Sequence, residues 1–137
     1  MCHFNIIPGY TFYGILPPKQ NYKHLAIVLK NKDTKVKYCY CRSSLNVNSL
    51  IYSVDDFAKI EKGDMELLFG DRAEETYIYL SKNHIIEISY SDLCSRLRDK
   101  VFEEKIFCPK IIYNEIIDKI RKSKNLSPRF KKELLDS

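Results

Sequence analysis

Lys23-His24 stands immediately before Leu25-Ala26-Ile27-Val28-Leu29, and Arg42-Ser43-Ser44 closes the next apolar run, so two polar clusters bracket two consecutive strand-like segments. Histidine ordinarily titrates near pH 6.5 and suits giving or taking a proton at neutral pH. Lysine is a mobile point charge and arginine a planar fork, and both hold phosphate oxygens. The hydroxyls of Ser43 and Ser44 can donate to a phosphate or a base. Together these types suit acid–base chemistry at a phosphate group, with one residue to move a proton and others to hold the phosphate oxygens. Alternation along a strand sends Lys23 and His24 to opposite faces, and Arg42 and Ser43 likewise, so one of each pair is expected on a given cleft wall. The bland alternative is strong, since a Lys or His at a strand start is commonly just solvated and Arg-Ser-Ser is ordinary turn composition.

Other reactive types are less well placed. His84, beside Asn83, reads as a turn residue, and His3 lies near the chain end. Asp71-Arg72 reads as a surface ion pair, with a second cleft arginine as its alternative. Tyr10, Tyr13, Tyr38, Tyr40, Tyr77 and Tyr79 could stack on bases, but at strand spacing they are expected mostly in packing. Five cysteines without framework spacing imply reduced thiols and a cytoplasmic protein. Cys39 and Cys41 share one strand face, where they act as small hydrophobes, and one intervening residue misses zinc-site spacing. Neither a metal nor a cofactor is expected. The net charge of +5 is unevenly spread. Arg121, Lys122, Lys124, Arg129, Lys131 and Lys132 crowd the end, where they could meet RNA phosphates, an acidic partner or only solvent.

The elements that must position these groups follow from periodicity. Tyr10–Ile15 reads as a strand stopped by Pro17-Pro18, and His24–Lys30 as a central strand buried on both faces. A polar turn at residues 31–34 joins it to Lys35–Arg42 in a hairpin. Residues 47–57 mix a helical period with loop composition and stay undecided. Gly63-Asp64 reads as a turn, and Glu75–Leu80 and His84–Ser89 as a second hairpin. Ser91 is expected to cap a short helix, Pro109 to begin a longer one striped by Ile112, Ile116 and Ile120, and Ser127-Pro128 a last one. Strands first and helices last predict one α+β domain over residues 1–137, strand-rich to 89 and helical from 90. No apolar run approaches the roughly 20 residues of a membrane span.

Lys23-His24 before the central strand, Arg42-Ser43-Ser44 after the next, Lys62-Gly63-Asp64 and Thr76-Tyr77-Ile78-Tyr79-Leu80 together resemble the PemK/MazF toxin superfamily, to which ToxN-type toxins are related in fold. The chain has Tyr22-Lys23-His24-Leu25 where many PemK-like toxins carry Gly-x-Arg-Pro. The resemblance implies an SH3-like antiparallel β-barrel with C-terminal helices and a toxin-like endoribonuclease cutting single-stranded RNA. It implies a protein or RNA antitoxin as partner and leaves room for a homodimer. Carried over by position, it makes His24, Lys23 and Ser44 the catalytic candidates. Arg42, Ser43, Arg121, Lys122 and Lys124 are the candidates for binding RNA. The alternative on the same fold is a non-catalytic binding module for a protein or nucleic acid.

Overall fold

The computed structural model describes residues 3–16, 22–42 and 57–135. Ser43, Ser44 and the undecided stretch up to residue 56 lie outside them. The chain is α+β: among the described residues seven antiparallel strands and four α-helices form. The strands are β1 (Thr11–Gly14), β2 (His24–Lys32), β3 (Lys35–Arg42), β4 (Phe57–Ile60), β5 (Thr76–Tyr79), β6 (Ile86–Ser89) and β7 (Glu103–Glu104). The helices are α1 (Lys62–Phe69), α2 (Tyr90–Arg98), α3 (Lys110–Lys122) and α4 (Pro128–Leu135). The sheet runs β4-β5-β3-β2-β1-β7, with β6 also on β3, and no described pairing joins β4 to β7. None of the described helices is long and apolar enough to cross a membrane.

The aliphatic run of β2 is explained by two cores, one on each face. Leu25, Ile27 and Leu29 pack with Cys39, Cys41, Ile78 and the Ile112-Ile116-Ile120 stripe of α3. Ala26 and Val28 pack with Phe12, Tyr38, Tyr40, Leu93 and Phe102. The cysteine pair therefore serves as core, as its shared face predicted. Cys39, Cys41 and Cys108 are buried thiols, but Cys94 is disulfide-bonded, which corrects the expectation that every thiol is reduced.

The expected β2–β3 hairpin turns at Asp33-Thr34, both at positive φ (53° and 64°), between the pair Lys32 and Lys35. Two left-handed residues match the twist of a two-residue hairpin, but a β-branched threonine is costly there. Thr34→Gly should raise stability by about 0.5–1 kcal/mol, read as a higher urea midpoint at unchanged slope; a lower midpoint would contradict this turn.

The second expected hairpin does not form. β6 pairs with the first half of β3 (Val36 opposite Ile88), and β5 pairs with its end (Cys41 opposite Ile78) and with β4. A 3-10 turn at Lys82–His84 lets the chain pass from one half of β3 to the other. Nor is Gly63-Asp64 a turn: both lie in the first turn of α1, whose buried Met65 anchors it and where the Asp64 carboxylate suits the helix N-terminus. Ser89 rather than Ser91 caps α2, accepting from Asp92 N at 3.1 Å. Pro109 and Ser127 stand where expected, Ser127 Oγ accepting from Phe130 N at 3.1 Å.

Candidate functional site

An antiparallel hairpin brings the residues that begin β2 beside those that end β3. Ala26 faces Tyr40, so His24 lies against Cys41 and Arg42, and on its other side Gly14 of β1 is its pair. A cleft of about 310 Å³ opens there. Tyr13, Tyr22, Lys23, His24, Arg42, Phe69, Arg72, Glu74 and Thr76 are among the residues that line it. Lys23 and His24 thus share a cleft, contrary to strict alternation, because the strand begins only at His24 and Lys23 is not bound by its pleat.

His24 Nδ1 lies 3.0 Å from the carbonyl oxygen of Cys41. A carbonyl only accepts, so Nδ1 carries the hydrogen and the neutral ring keeps its lone pair on Nε2. Burial pushes the imidazole below its ordinary range and the positive charge of Arg42 adds to that, against the Cys41 hydrogen bond, which favours protonation. At neutral pH the ring is therefore a base with a fixed tautomer. Arg42 is half-buried with its guanidinium 5.3 Å from the centre of the Tyr79 ring. Lys23, Arg42 and Arg72 have no ion-pair partner among the described residues. Among the described residues Arg72 makes no surface ion pair of the kind expected, and it lines the cleft.

No protein family, curated protein or solved structure matches the chain. What the cleft can do therefore follows from its own groups: one neutral imidazole, three cations and the Glu74 carboxylate. Such a balance attracts an anion and offers it a base. Among the described residues no three His, Cys, Asp or Glu side chains converge as metal ligands.

Most of the tyrosines pack, as expected: Tyr10, Tyr38, Tyr40 and Tyr79 are buried. The aromatic rings open to solvent at the cleft include Tyr22, 76% exposed, and Phe69; the place of Tyr22 beside Lys23-His24 was the available signal. His84 does sit in a turn, but its ring meets Tyr79 edge-on at 4.9 Å and lies 6.4 Å from Tyr40, which in turn lies 5.5 Å from His24. Its Nδ1 is 2.6 Å from Ser81 Oγ, and burial, then Arg42, lowers its pKa also. Of the basic C-terminal candidates, Arg121 lines a separate groove with Leu29 to Lys32, on the order of 20 Å along β2 from His24. Lys122 pairs with Asp118 at 3.0 Å, and Lys124 is exposed; neither lines the cleft.

The two histidines also set a pH dependence of folding. Because the native state holds both below the ordinary value of 6.5, the unfolded chain binds their protons more readily. Their contribution is complete above that value and is lost as pH falls through the native pKa values. Urea midpoints should drop over that range, and the double variant His24→Asn, His84→Asn should flatten the drop; an unchanged profile would contradict the lowered values.

Proposed function

We propose that the chain is a PemK/MazF-like endoribonuclease, with the His24 cleft as its active site, an SH3-like barrel as its frame and an antitoxin as its inhibitor. One observation carries the reading: His24 is held neutral, with Nδ1 fixed on Cys41 and Nε2 without a described partner, beside three cations. The division of β3 between β6 and β5 supports a sheet bent toward a barrel.

In this mechanism Nε2 of His24 removes the 2′-hydroxyl proton of a bound ribonucleotide, and the 2′-oxygen attacks the adjacent phosphorus. Arg42 and Arg72 hold the phosphorane oxygens, where positive charge is worth most as negative charge develops. The bond from phosphorus to the 5′-oxygen then breaks, and the Lys23 ammonium gives that oxygen its proton. The products are a 2′,3′-cyclic phosphate and a 5′-hydroxyl. Ser44, two residues beyond Arg42, is assigned a hydrogen bond to the same phosphate. Tyr22 offers a ring for a flanking base to stack on. Because the nucleophile belongs to the substrate, an oligonucleotide with every ribose replaced by deoxyribose should not be cut. Cleavage of it at the rate of RNA would rule out this chemistry.

A further inference from the structure

The phosphate chemistry assigned to the His24 cleft leaves its Glu74 carboxylate without a part. Gly70, left-handed at φ 57°, ends α1, and the 3-10 turn at Gly70–Arg72 closes with Ala73 N donating to the Gly70 carbonyl at 3.1 Å. Ala73 and Thr76 are buried on either side of Glu74, and the Thr76 hydroxyl donates to the Glu74 carbonyl at 2.9 Å. The backbone is thereby anchored while Glu74 itself stays exposed at the cleft. Its neighbour Glu75 is already engaged, 3.4 Å from Lys59 and accepting from the Tyr77 hydroxyl. Glu74 has no ion-pair partner among the described residues, although Lys23, Arg42 and Arg72 line the same cleft.

A carboxylate repels phosphate oxygens, so in a phosphate-binding cleft it weakens the ligand unless it meets N–H donors of that ligand. The donors of a nucleotide sit on its base. Guanine presents N1–H and its N2 amino group side by side, matching both carboxylate oxygens as an arginine fork does. Cytosine and adenine each set a ring-nitrogen acceptor beside the amino group, and uracil flanks its N3–H with two carbonyls, so a carboxylate meets repulsion along with its single bond. The rings of Tyr22 and Phe69 are exposed at the cleft, ready to stack on a purine. A volume of about 310 Å³ is at the lower end for small-molecule pockets and suits one nucleotide, base and phosphate together. We propose that Glu74 forms a guanine subsite, a step that rests on reading the cleft as a nucleotide site. The base it reads belongs to the ribose whose 2′-oxygen attacks, so cleavage falls on the 3′ side of guanosine. Glu74 sets specificity and moves no proton.

Calorimetry of the purified chain with the four nucleoside 3′-monophosphates and with inosine 3′-monophosphate reads the subsite without any cleavage. Guanosine 3′-monophosphate should bind about tenfold or more tighter than the adenosine, cytidine and uridine compounds, and inosine, which lacks the N2 amino group, should fall between. Glu74→Gln exchanges one acceptor oxygen for an amide donor at nearly equal size. At an unchanged melting temperature it should remove the preference for guanosine. If Glu74 only balances the neighbouring cations, the variant would tighten every compound alike, and the subsite would be overturned. Equal binding of every compound by the parent, or binding of none, overturns it as well. Digestion of a single-stranded RNA carrying the four bases in equal numbers separates the subsite from the chemistry. Cuts after every base would remove the guanine subsite and keep the RNase, whereas selective binding of guanosine without any cut would keep the subsite and remove the RNase.

Discussion

His24→Ala is expected to lower RNA cleavage by about 10²- to 10⁴-fold, the usual consequence of removing a positioned acid or base. The same loss is expected for Lys23→Ala if its ammonium serves the leaving oxygen, and a smaller one for Ser44→Ala. His84→Ala should stay within a few-fold of the parent, since His84 is outside the residues that line the cleft. Each variant must keep its melting temperature, or lost folding would imitate lost chemistry. A merely structural role for His24 would leave the pH profile unmoved. As the base it should give an acid limb below the ordinary histidine value, because burial and Arg42 hold its pKa down. Arg42→Ala should move that limb toward higher pH besides weakening phosphate binding. A limb that stays in place would separate His24 from the rate.

Phe12→Ala should cost about 3–5 kcal/mol of stability, among the largest effects available to one substitution. Phe12 is fully buried at the centre of the second core, its ring 5.2 Å from Tyr38 and 5.1 Å from Phe102. Removing it opens a cavity between β1, β3 and the segment after α2 that the rigid sheet cannot fill by collapsing. Chemical denaturation would read the loss directly. A cost below about 1 kcal/mol would mean that this face of β2 is not a packed core, since such a value belongs to surface sites.

The parts of the fold legible in the sequence were those set by local pattern. The unbroken aliphatic run at residues 25–29 implied two buried faces, and two cores are present. The spacing of Ile112, Ile116 and Ile120 located α3 because a helix repeats its buried face every three to four residues. Pairing was less legible, because it is a long-range choice. Glu75–Leu80 and His84–Ser89 look like adjacent hairpin arms, yet both strands pair with β3, which offers them different halves of one edge. Gly63 hid α1 for a similar reason: a glycine is a strong local turn signal, and the packing of Met65 outweighs it.

The site divided along the same line. Lys23, His24 and Arg42 could be found because a hairpin must return β3 beside the start of β2. Arg72, Glu74 and Thr76 reach the cleft through a turn and a strand order that no local pattern encodes. Arg121, Lys122 and Lys124 form a cluster in the sequence, but Arg121 lines a groove at the far end of β2, and Lys122 is paired within its own helix. Charge density alone did not say which surface it would serve.

The most direct measurement is the chemistry of the ends left on a single-stranded RNA incubated with the purified chain and a chelator. The His24 cleft predicts 5′-hydroxyl ends and 2′,3′-cyclic or 3′-phosphates from the parent protein, with that product lost in folded His24→Ala. Products ending in 5′-phosphate, an equally active His24→Ala, or no cleavage by the folded parent protein would contradict it.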